Sequence, residues 1–100
     1  MEPQIDLDMG QIEAFCDKWG IAQFSLFGSV LRDDFGPDSD VDVLVKGSEQ
    51  ARWSLFDLVD MKQELEAIFG RKVDLIEPDG IRNPFRRYEI ATSRKVIYAA

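Results

Sequence analysis

The sequence contains no histidine, a single cysteine and no long apolar run. Without histidine, the Ser-His-Asp and Cys-His nucleophilic schemes and most zinc sites are excluded. Cys16 cannot form an intrachain disulfide, and apolar runs of a few residues fall far short of the roughly 20 that cross a bilayer. We therefore expect chemistry based on carboxylates, no membrane insertion and, since no signal peptide is recognisable, a cytoplasmic location.

Basic residues are also scarce, with 12 Lys plus Arg against 19 Asp plus Glu and a formal charge of -7. This sign opposes binding to a nucleic-acid backbone, so no direct nucleic-acid contact is expected. The acidity either keeps the surface solvated or belongs in part to metal-binding carboxylates. The length of 100 residues is typical of a single domain, which we assign to residues 1–100.

Capping signals and apolar periodicity predict two long helices. The first begins after the N-cap Asp8, ends at Gly20 and carries one apolar stripe of Ile12, Phe15, Cys16 and Trp19. The second runs from about Leu55 to Phe69, between the N-cap Ser54 and Gly70. Its predicted buried face consists of Leu55, Leu58, Val59, Leu65 and Phe69.

Four segments have the pattern of strands, and a third helix is short. The strands are predicted over residues 21–27, 40–45 and 72–76 and in the tail KVIYA. Asn83 as N-cap and Pro84 at the first position open the third helix. The element order predicts a small α/β or α+β domain with a mixed β-sheet flanked by helices.

Two acidic residues, Asp40 and Asp42, are separated by one residue on a predicted strand. Their Cα atoms would lie about 7 Å apart and both carboxylates would project to the same face. Two divalent ions bridged by such a pair are an apparatus for nucleotidyl transfer. An Asp-x-Asp pair also occurs on exposed strands, so its neighbours must decide between the two interpretations.

Upstream of this pair, Gly28 and Ser29 stand at the end of a predicted strand. A glycine lets backbone amides approach a phosphate, and a hydroxyl can donate to its oxygens. A Gly-Ser turn alone is often a simple strand end. The combination of this turn with the acidic pair favours a phosphate and metal site.

The segment FGSVLRDDFGPDSDVDVLV resembles the signature of the polymerase-beta-type nucleotidyltransferase superfamily, which is Gly-Ser, ten residues and Asp-x-Asp. The likeness covers nearly the whole chain and is greatest to the minimal nucleotidyltransferase (MNT) group. It implies a nucleotidyltransferase fold and an enzyme that uses two Mg²⁺ ions and a nucleoside triphosphate, with ATP as the expected substrate. It also implies a third carboxylate on a later strand, where Asp74 stands.

The resemblance assigns roles to these residues. Gly28 and Ser29 would bind the triphosphate, Asp40 and Asp42 would ligate both metal ions, and Asp74 would complete the catalytic metal site. A metal-adjacent carboxylate can also accept a proton, which makes Asp74 the candidate base. The alternative for Asp74 is an ordinary acid on a strand surface.

Arg32, three residues after Ser29, has two interpretations. It either steadies a phosphate through its planar guanidinium or pairs as part of the scaffold. The scaffold partners would be Asp33, Asp34 or Asp38. We slightly favour the scaffold role, while keeping Arg32 among the nucleotide-binding candidates.

Larger members of the superfamily carry a further helical domain, and we expect none within residues 1–100. In the MNT group the missing wall is typically supplied by an all-helical HEPN-type partner, and the two form a toxin–antitoxin pair. The resemblance thus implies an antitoxin that transfers AMP to a tyrosine hydroxyl of its HEPN partner. The alternatives are a non-catalytic module that neutralises a partner by binding, and a small-molecule nucleotidyltransferase of the antibiotic-modifying type. Homo-oligomerisation stays open.

The C-terminal region contains aromatic and arginine residues that suit docking of an acidic partner or a nucleotide. These residues are Phe85, Tyr88 and Tyr98 with Arg82, Arg86 and Arg87. The alternative is that the aromatic side chains complete the core while the arginines are solvated. The sequence gives the two interpretations equal weight.

Overall fold

A computed structural model describes residue 3, residues 5–33 and residues 35–100 of the chain. The predicted order of three helices and four strands is confirmed, as is the α+β fold class with a mixed sheet. Two 3₁₀ turns, at Gly28–Leu31 and Pro78–Gly80, are additional. The helices and strands are α1 (Met9–Trp19), β1 (Ile21–Phe27), β2 (Val41–Gly47), α2 (Leu55–Phe69), β3 (Val73–Ile76), α3 (Pro84–Ser93) and β4 (Lys95–Ala99). No helix within the described ranges is long and apolar enough to span a membrane.

The helix ends follow their capping residues. The side chain of Asp8 accepts a hydrogen bond from the Gln11 backbone N–H at 3.2 Å. Ser54 and Asp57 form a reciprocal capping box at the start of α2. Gly20 and Gly70 end α1 and α2 in the left-handed conformation, with φ of 68° and 67°, which glycine adopts without a Cβ penalty.

The four strands form one sheet in the order β3-β2-β1-β4. β1 pairs antiparallel with both β2 and β4, while β2 and β3 run parallel through the crossover helix α2. In this register Asp42 is paired with Asp74. The topology therefore brings two of the three predicted carboxylates to neighbouring positions from segments far apart in sequence.

The main core lies between one face of the sheet and helices α1 and α2. Its central strand residues, Val41, Val43 and Val45, are fully buried. The predicted buried face of α2 is partly wrong, because Leu55 is 74% exposed and Val59 is 46% exposed. The helix instead buries Met61 and Leu65 completely, with Leu58, Ile68 and Phe69 packed against the same core.

A smaller cluster covers the opposite face of the sheet beneath α3. It consists of Phe27, Leu44, Ile81 and Ile90, with Ile76 packed against it. Side chains alternate between the two faces of a strand, so Asp42 shares this face with Leu44, and Asp74 shares it with Ile76. The helix α3 is thus fixed over the same face of the sheet as the acidic pair.

Ser25 is a buried hydroxyl without a hydrogen-bond partner among the described residues. A buried, unpaired polar group costs about 1 to 3 kcal/mol. We expect Ser25→Ala to raise the free energy of unfolding in urea by about 1 kcal/mol. Ser54→Ala, which removes the α2 cap, serves as the contrasting variant and should lower it by about 1 kcal/mol. A loss of stability in Ser25→Ala would contradict this assignment.

The single thiol, Cys16, is buried in the main core. Burial, followed by the charges of Asp17 and Glu13, raises its pKa from 9.0 to about 12. The thiol therefore stays protonated in the folded chain, and we expect it to react with a disulfide reagent at pH 8 only when the chain unfolds. Because folding raises the pKa of the thiol, the unfolded chain loses this proton at a lower pH than the folded chain. The free energy of unfolding is therefore unaffected by Cys16 ionisation below pH 9.0 and falls as the pH rises from 9.0 toward 12. Rapid reaction of the native protein would contradict the prediction.

Candidate active site

The turn that follows β1 depends on a glycine. Gly28 has a φ of 73°, in the left-handed region, and opens the 3₁₀ turn Gly28–Leu31. A Cβ at this position would overlap Oδ2 of Asp42 and stand 3.3 Å from its Cγ. Glycine is therefore required here both by the backbone conformation and by the carboxylate that lies against it.

Ser29 ties this turn to the start of β2. Its Oγ donates a weak hydrogen bond of 3.4 Å to the Asp40 carbonyl, and its own carbonyl accepts from the Arg32 N–H at 2.9 Å. Its backbone N–H is directed at the Asp42 carboxylate, whose charge it stabilises. The turn and the acidic strand thus form one unit.

The three predicted carboxylates differ in their surroundings. Asp42 is half-buried in β2 and is paired in register with the exposed Asp74 in β3. Asp40 is exposed and immediately precedes β2, so the predicted strand start was one residue too early. Asp40 also lines a different hollow, beside Lys62 and Glu66. Among residues 3, 5–33 and 35–100, no three acidic, cysteine or histidine side chains already form a cluster that could hold a metal ion.

The acidic charges nevertheless act on one another. Partial burial raises the pKa of Asp42 above its ordinary value, and the charges of Asp74 and Asp40 raise it further. Opposing this, the Arg86 charge and the Ser29 backbone N–H lower the Asp42 pKa. Asp42 is consequently a desolvated, repelled carboxylate that a nearby cation would stabilise.

A pocket of about 710 Å³ opens between the Gly28 turn and α3. One side is formed by Gly28, Ser29, Arg32 and Asp42, and the other by polar residues of α3 and its cap, namely Asn83, Arg86, Glu89 and Ser93. A volume in the range of roughly 300 to 1,000 Å³ is typical of small-molecule sites. The residues predicted to bind a triphosphate therefore border one cavity of suitable size.

The contribution of α3 to this pocket was predicted only in part from the sequence. Phe85 and Arg86 belonged to a patch predicted to face an acidic partner or a nucleotide, and both line the pocket. Asn83 was assigned only to a helix cap, and Glu89 and Ser93 to nothing. The spacing of Asn83, Arg86 and Glu89 by three residues puts their side chains on one side of the helix. That polar stripe was the sequence feature from which a polar wall could have been predicted, but the sequence does not show which surface the stripe faces.

The C-terminal aromatic residues divide between the two interpretations. Phe85 and Tyr88 on α3 are 84% and 73% exposed, as a docking role requires. Tyr98 on β4 instead packs against the main core. The predicted docking patch thus keeps two of its three aromatic side chains.

The surroundings of Arg32 are compatible with either predicted role. Arg32 is exposed, ends the 3₁₀ turn Gly28–Leu31 and lines the pocket with Gly28 and Ser29. Its suggested partner Asp34 lies outside the described residues. The pocket position puts Arg32 where a phosphate would be bound.

The donor set fits a hard divalent cation. Asp40, Asp42 and Asp74 offer only carboxylate oxygens, which are the ligands that Mg²⁺ prefers. The pKa of Asp42, raised by burial and then by its two acidic neighbours, shows that negative charge is concentrated there without full compensation. Binding a cation would require the side chains of Asp40 and Asp74 to turn toward Asp42, which their exposure permits.

Known proteins resemble this chain in sequence and in fold. A family model of the nucleotidyltransferase domain matches residues 9–97. The chain belongs to the nucleotidyltransferase domain family. It is similar to protein adenylyltransferase MntA of Thermococcus cleftensis, with 30% identity over 82 residues, which cover 82% of this chain and 78% of the relative. The predicted membership of this family, and with it the assignment as a nucleotidyltransferase enzyme, is confirmed.

Solved structures show the same fold. A crystal structure of a toxin–antitoxin with AMP-PNP matches with a TM-score of 0.75 and 18% identity, covering 94% of this chain and 75% of the other. A structure of tri-AMPylated Shewanella oneidensis HEPN toxin in complex with MNT antitoxin matches with a TM-score of 0.66 and 17% identity, covering 91% and 69%. At these identities the likeness establishes the fold.

Proposed function

We propose that the chain transfers AMP from ATP, with Mg²⁺, to a tyrosine hydroxyl of a HEPN-type partner, and that it acts in this way as a cytoplasmic antitoxin. The observation that carries the proposal is the pairing of Asp42 with Asp74 beside the Gly28 turn. This is the constellation of carboxylates and phosphate-binding turn that nucleotidyl transfer needs. The similarity to an adenylyltransferase supports the choice of AMP.

In this proposal the triphosphate lies in the pocket between the Gly28 turn and α3. Backbone N–H groups of the turn and the Ser29 hydroxyl donate to phosphate oxygens, and Arg32 adds a charge-assisted contact. Arg86 faces the same pocket from α3. The chain has a formal charge of -7, so these cations are needed to attract an anionic substrate.

Asp40, Asp42 and Asp74 would hold the two magnesium ions. When bound, the ions would neutralise the phosphates and stabilise the negative charge that develops during transfer. Asp42 contributes by position, because the Gly28 turn holds its carboxylate against the phosphate-binding backbone. Asp74, one strand farther along the sheet, is exposed and accessible to an acceptor.

In the transfer step Asp74 carries the proton that the acceptor hydroxyl releases. Asp74 accepts the proton of the acceptor hydroxyl while the oxygen of that hydroxyl forms a bond to the α-phosphorus of ATP. The bond between this phosphorus and the bridging oxygen to the β-phosphate breaks. Pyrophosphate leaves with the electron pair, and AMP remains as a phosphodiester on the acceptor.

The choice of partner is supported by the solved complexes. One matched structure contains a HEPN toxin that carries AMP groups together with an MNT antitoxin, and another is a toxin–antitoxin with AMP-PNP. The exposed Phe85 and Tyr88 provide apolar surface for such a partner. By similarity to these proteins, we assign to this chain a HEPN toxin as partner, a tyrosine as acceptor and ATP as nucleotide.

The proposal is tested by incubating the chain with ATP labelled at the α-phosphate, Mg²⁺ and a HEPN-type partner protein. We expect label in the partner, removed by mutation of its acceptor tyrosine to Phe. Chelation of Mg²⁺ should abolish labelling, since the carboxylates then have no cation to hold. An unlabelled partner, or labelling that persists in Asp42→Asn, would contradict the proposal.

A second candidate is a module that neutralises its partner by binding alone. The exposed aromatic residues of α3 and the lack of a preformed carboxylate cluster in the described part of the chain favour it. The variant Asp40→Asn/Asp42→Asn separates the two functions. Protection of cells from the partner should be lost if AMP transfer is required and should persist if binding is sufficient.

A further inference from the structure

A second hollow lies beside the nucleotide pocket, along the edge strand β3. We call it the edge groove and define it by Leu58 of α2, Leu75 and Ile76 of β3, Ile81, Arg82 and Arg86. Its volume is about 440 Å³. The groove therefore has an apolar floor and a charged rim that contains Arg82, Arg86 and Glu77.

The edge groove and the nucleotide pocket meet at the same two residues. Asn83 and Arg86 line both hollows, which extend from them in different directions. The nucleotide pocket lies against Gly28 and Asp42, whereas the groove lies against the two residues that follow Asp74 in β3. The candidate base Asp74 thus belongs to the strand that forms the groove.

Displacement at phosphorus is in line, so the acceptor oxygen and the departing phosphate lie on opposite sides of the reacting atom. With the triphosphate against the Gly28 turn, the acceptor has to approach from the side of β3. The sheet order β3-β2-β1 places Asp74 on that side of Asp42. The edge groove is the hollow that opens there.

The chemistry of the groove limits what it can hold. Leu58, Leu75, Ile76 and Ile81 suit an apolar or aromatic side chain, and the volume accommodates one aromatic ring with its backbone. Arg82 and Arg86 outnumber the single acidic residue of the groove, Glu77, so its net charge is positive in a chain whose formal charge is -7. A segment with acidic residues beside the ring would complement this rim.

Apolar surface continues from the groove along α2. Leu55 and Val59, at three residues before and one after Leu58, are 74% and 46% exposed. Leu55 lies about one turn before Leu58 on the same side of α2, whereas Val59 is turned about 100° away from Leu58. The surface is longer than a single side chain needs, which favours a polypeptide over a small molecule.

We propose that the edge groove binds the acceptor polypeptide, as an acidic segment that inserts its tyrosine ring toward Asp74. This inference rests on the proposed function and adds where the acceptor lies and which charge surrounds its tyrosine. Arg86, at the junction of the two hollows, would contact both substrates.

Gly80 allows the groove to be filled without disturbing the fold. It lines the groove, has no left-handed backbone conformation, and a Cβ there meets nothing within 4 Å. We expect Gly80→Trp to block the groove while the Kd for AMP-PNP with Mg²⁺ stays within about twofold of wild type. Gly10→Trp on α1 is the matched control, because its Cβ makes only an ordinary contact of 3.5 Å with Asp8.

The acceptor probes are two random copolymers, poly(Glu,Tyr) and poly(Lys,Tyr), incubated with α-labelled ATP and Mg²⁺. Wild type should label poly(Glu,Tyr) at least about tenfold more than poly(Lys,Tyr), because the rim is cationic. Gly80→Trp should reduce this labelling at least about tenfold, and Gly10→Trp should not. Arg82→Glu reverses a charge outside the nucleotide pocket and should reduce the ratio of poly(Glu,Tyr) labelling to poly(Lys,Tyr) labelling. This variant tests the inference if Gly80→Trp does not fold.

Equal labelling of the two copolymers, or equal labelling by Gly80→Trp and Gly10→Trp, would overturn the inference. Binding of AMP-PNP without label in either copolymer would overturn it as well, and the proposed function would then be judged by labelling of the HEPN partner. Failure of the wild type to bind the nucleotide would instead refute the proposed function itself.

Discussion

Replacing Asp42 by Asn is expected to lower the rate of AMP transfer by at least about 100-fold, since in the proposed mechanism this carboxylate acts on the metal ions and the reacting phosphate. The free energy of unfolding should stay the same or rise. Burial and the charges of Asp74 and Asp40 raise the pKa of Asp42, which means that its ionised form is unfavourable in the folded chain. Single-turnover transfer from labelled ATP and urea unfolding measure the two effects.

The charge-matched control for this prediction is Asp60→Asn. Asp60 is exposed on α2, away from the Gly28 turn, and its removal changes the net charge by the same amount. We expect full transfer activity in this variant. Asp42→Asn with normal transfer and reduced stability would show that Asp42 is a structural residue and would reverse the interpretation of the site.

Gly28→Ala is expected to reduce transfer about 100-fold, a loss typical of a displacement of about 1 Å at a reacting group. A Cβ at Gly28 would overlap Oδ2 of Asp42, so the turn and the carboxylate cannot both keep their places. The left-handed backbone adds a penalty of roughly 1 to 2 kcal/mol in stability. Transfer kinetics and urea unfolding report these contributions separately.

Gly20→Ala isolates the backbone penalty. Gly20 has a φ of 68°, but a Cβ there would stand 3.6 Å from Ser48 Oγ and 3.7 Å from Ala51 Cβ, so no overlap results. This variant should lose similar stability and keep its activity. The double variant Gly28→Ala/Asp42→Asn should transfer no more slowly than Asp42→Asn alone, because both changes act on one carboxylate. Additive losses would contradict the coupling between Gly28 and Asp42.

Local chemistry allowed much of the fold to be predicted from the sequence. The caps Asp8, Ser54 and Asn83 satisfy backbone N–H groups that would otherwise lack partners, and each begins a helix where expected. Gly20 and Gly70 end helices because they accept a left-handed backbone. Such signals involve only residues close in sequence, which explains their reliability.

The buried face of α2 shows where such reasoning fails. Apolar residues occupy more than one side of this helix, so periodicity alone permits several orientations. Packing on the sheet selects the side with Met61 and Leu65 and leaves Leu55 and Val59 exposed. This choice depends on where α2 crosses the sheet, which is a property of the tertiary structure.

The candidate site also combines features that are local in sequence with features that depend on the tertiary structure. The Gly28-Ser29 turn and the Asp-x-Asp pair are local in sequence, and the motif revealed them. The pairing of Asp42 with Asp74 and the polar wall formed by α3 depend on strand order and on the small cluster beneath α3. Arg86 could be suspected as a surface cation, but its place beside Asp42 follows only from the fold.

Binding of an acceptor in the edge groove would explain why apolar residues of α2 are exposed. Leu55 at 74% exposure and Phe56 at 81% are costly to leave in water, and a fold selected for stability alone would favour polar residues there. Contact with a partner would remove this surface from solvent. The same helix then supports the core with one side and the acceptor with another.

A crystal of the chain grown with Mn²⁺ and AMP-PNP, with the metal located by its anomalous scattering, tests the proposed three-carboxylate metal site most directly. We predict a manganese peak bound by Asp42 and Asp40, with Asp74 turned toward it and the phosphates against Gly28 and Ser29. Octahedral coordination by oxygen atoms is expected for such a site. A nucleotide bound elsewhere, or Asp74 directed away from the other two with no metal among them, would contradict the account.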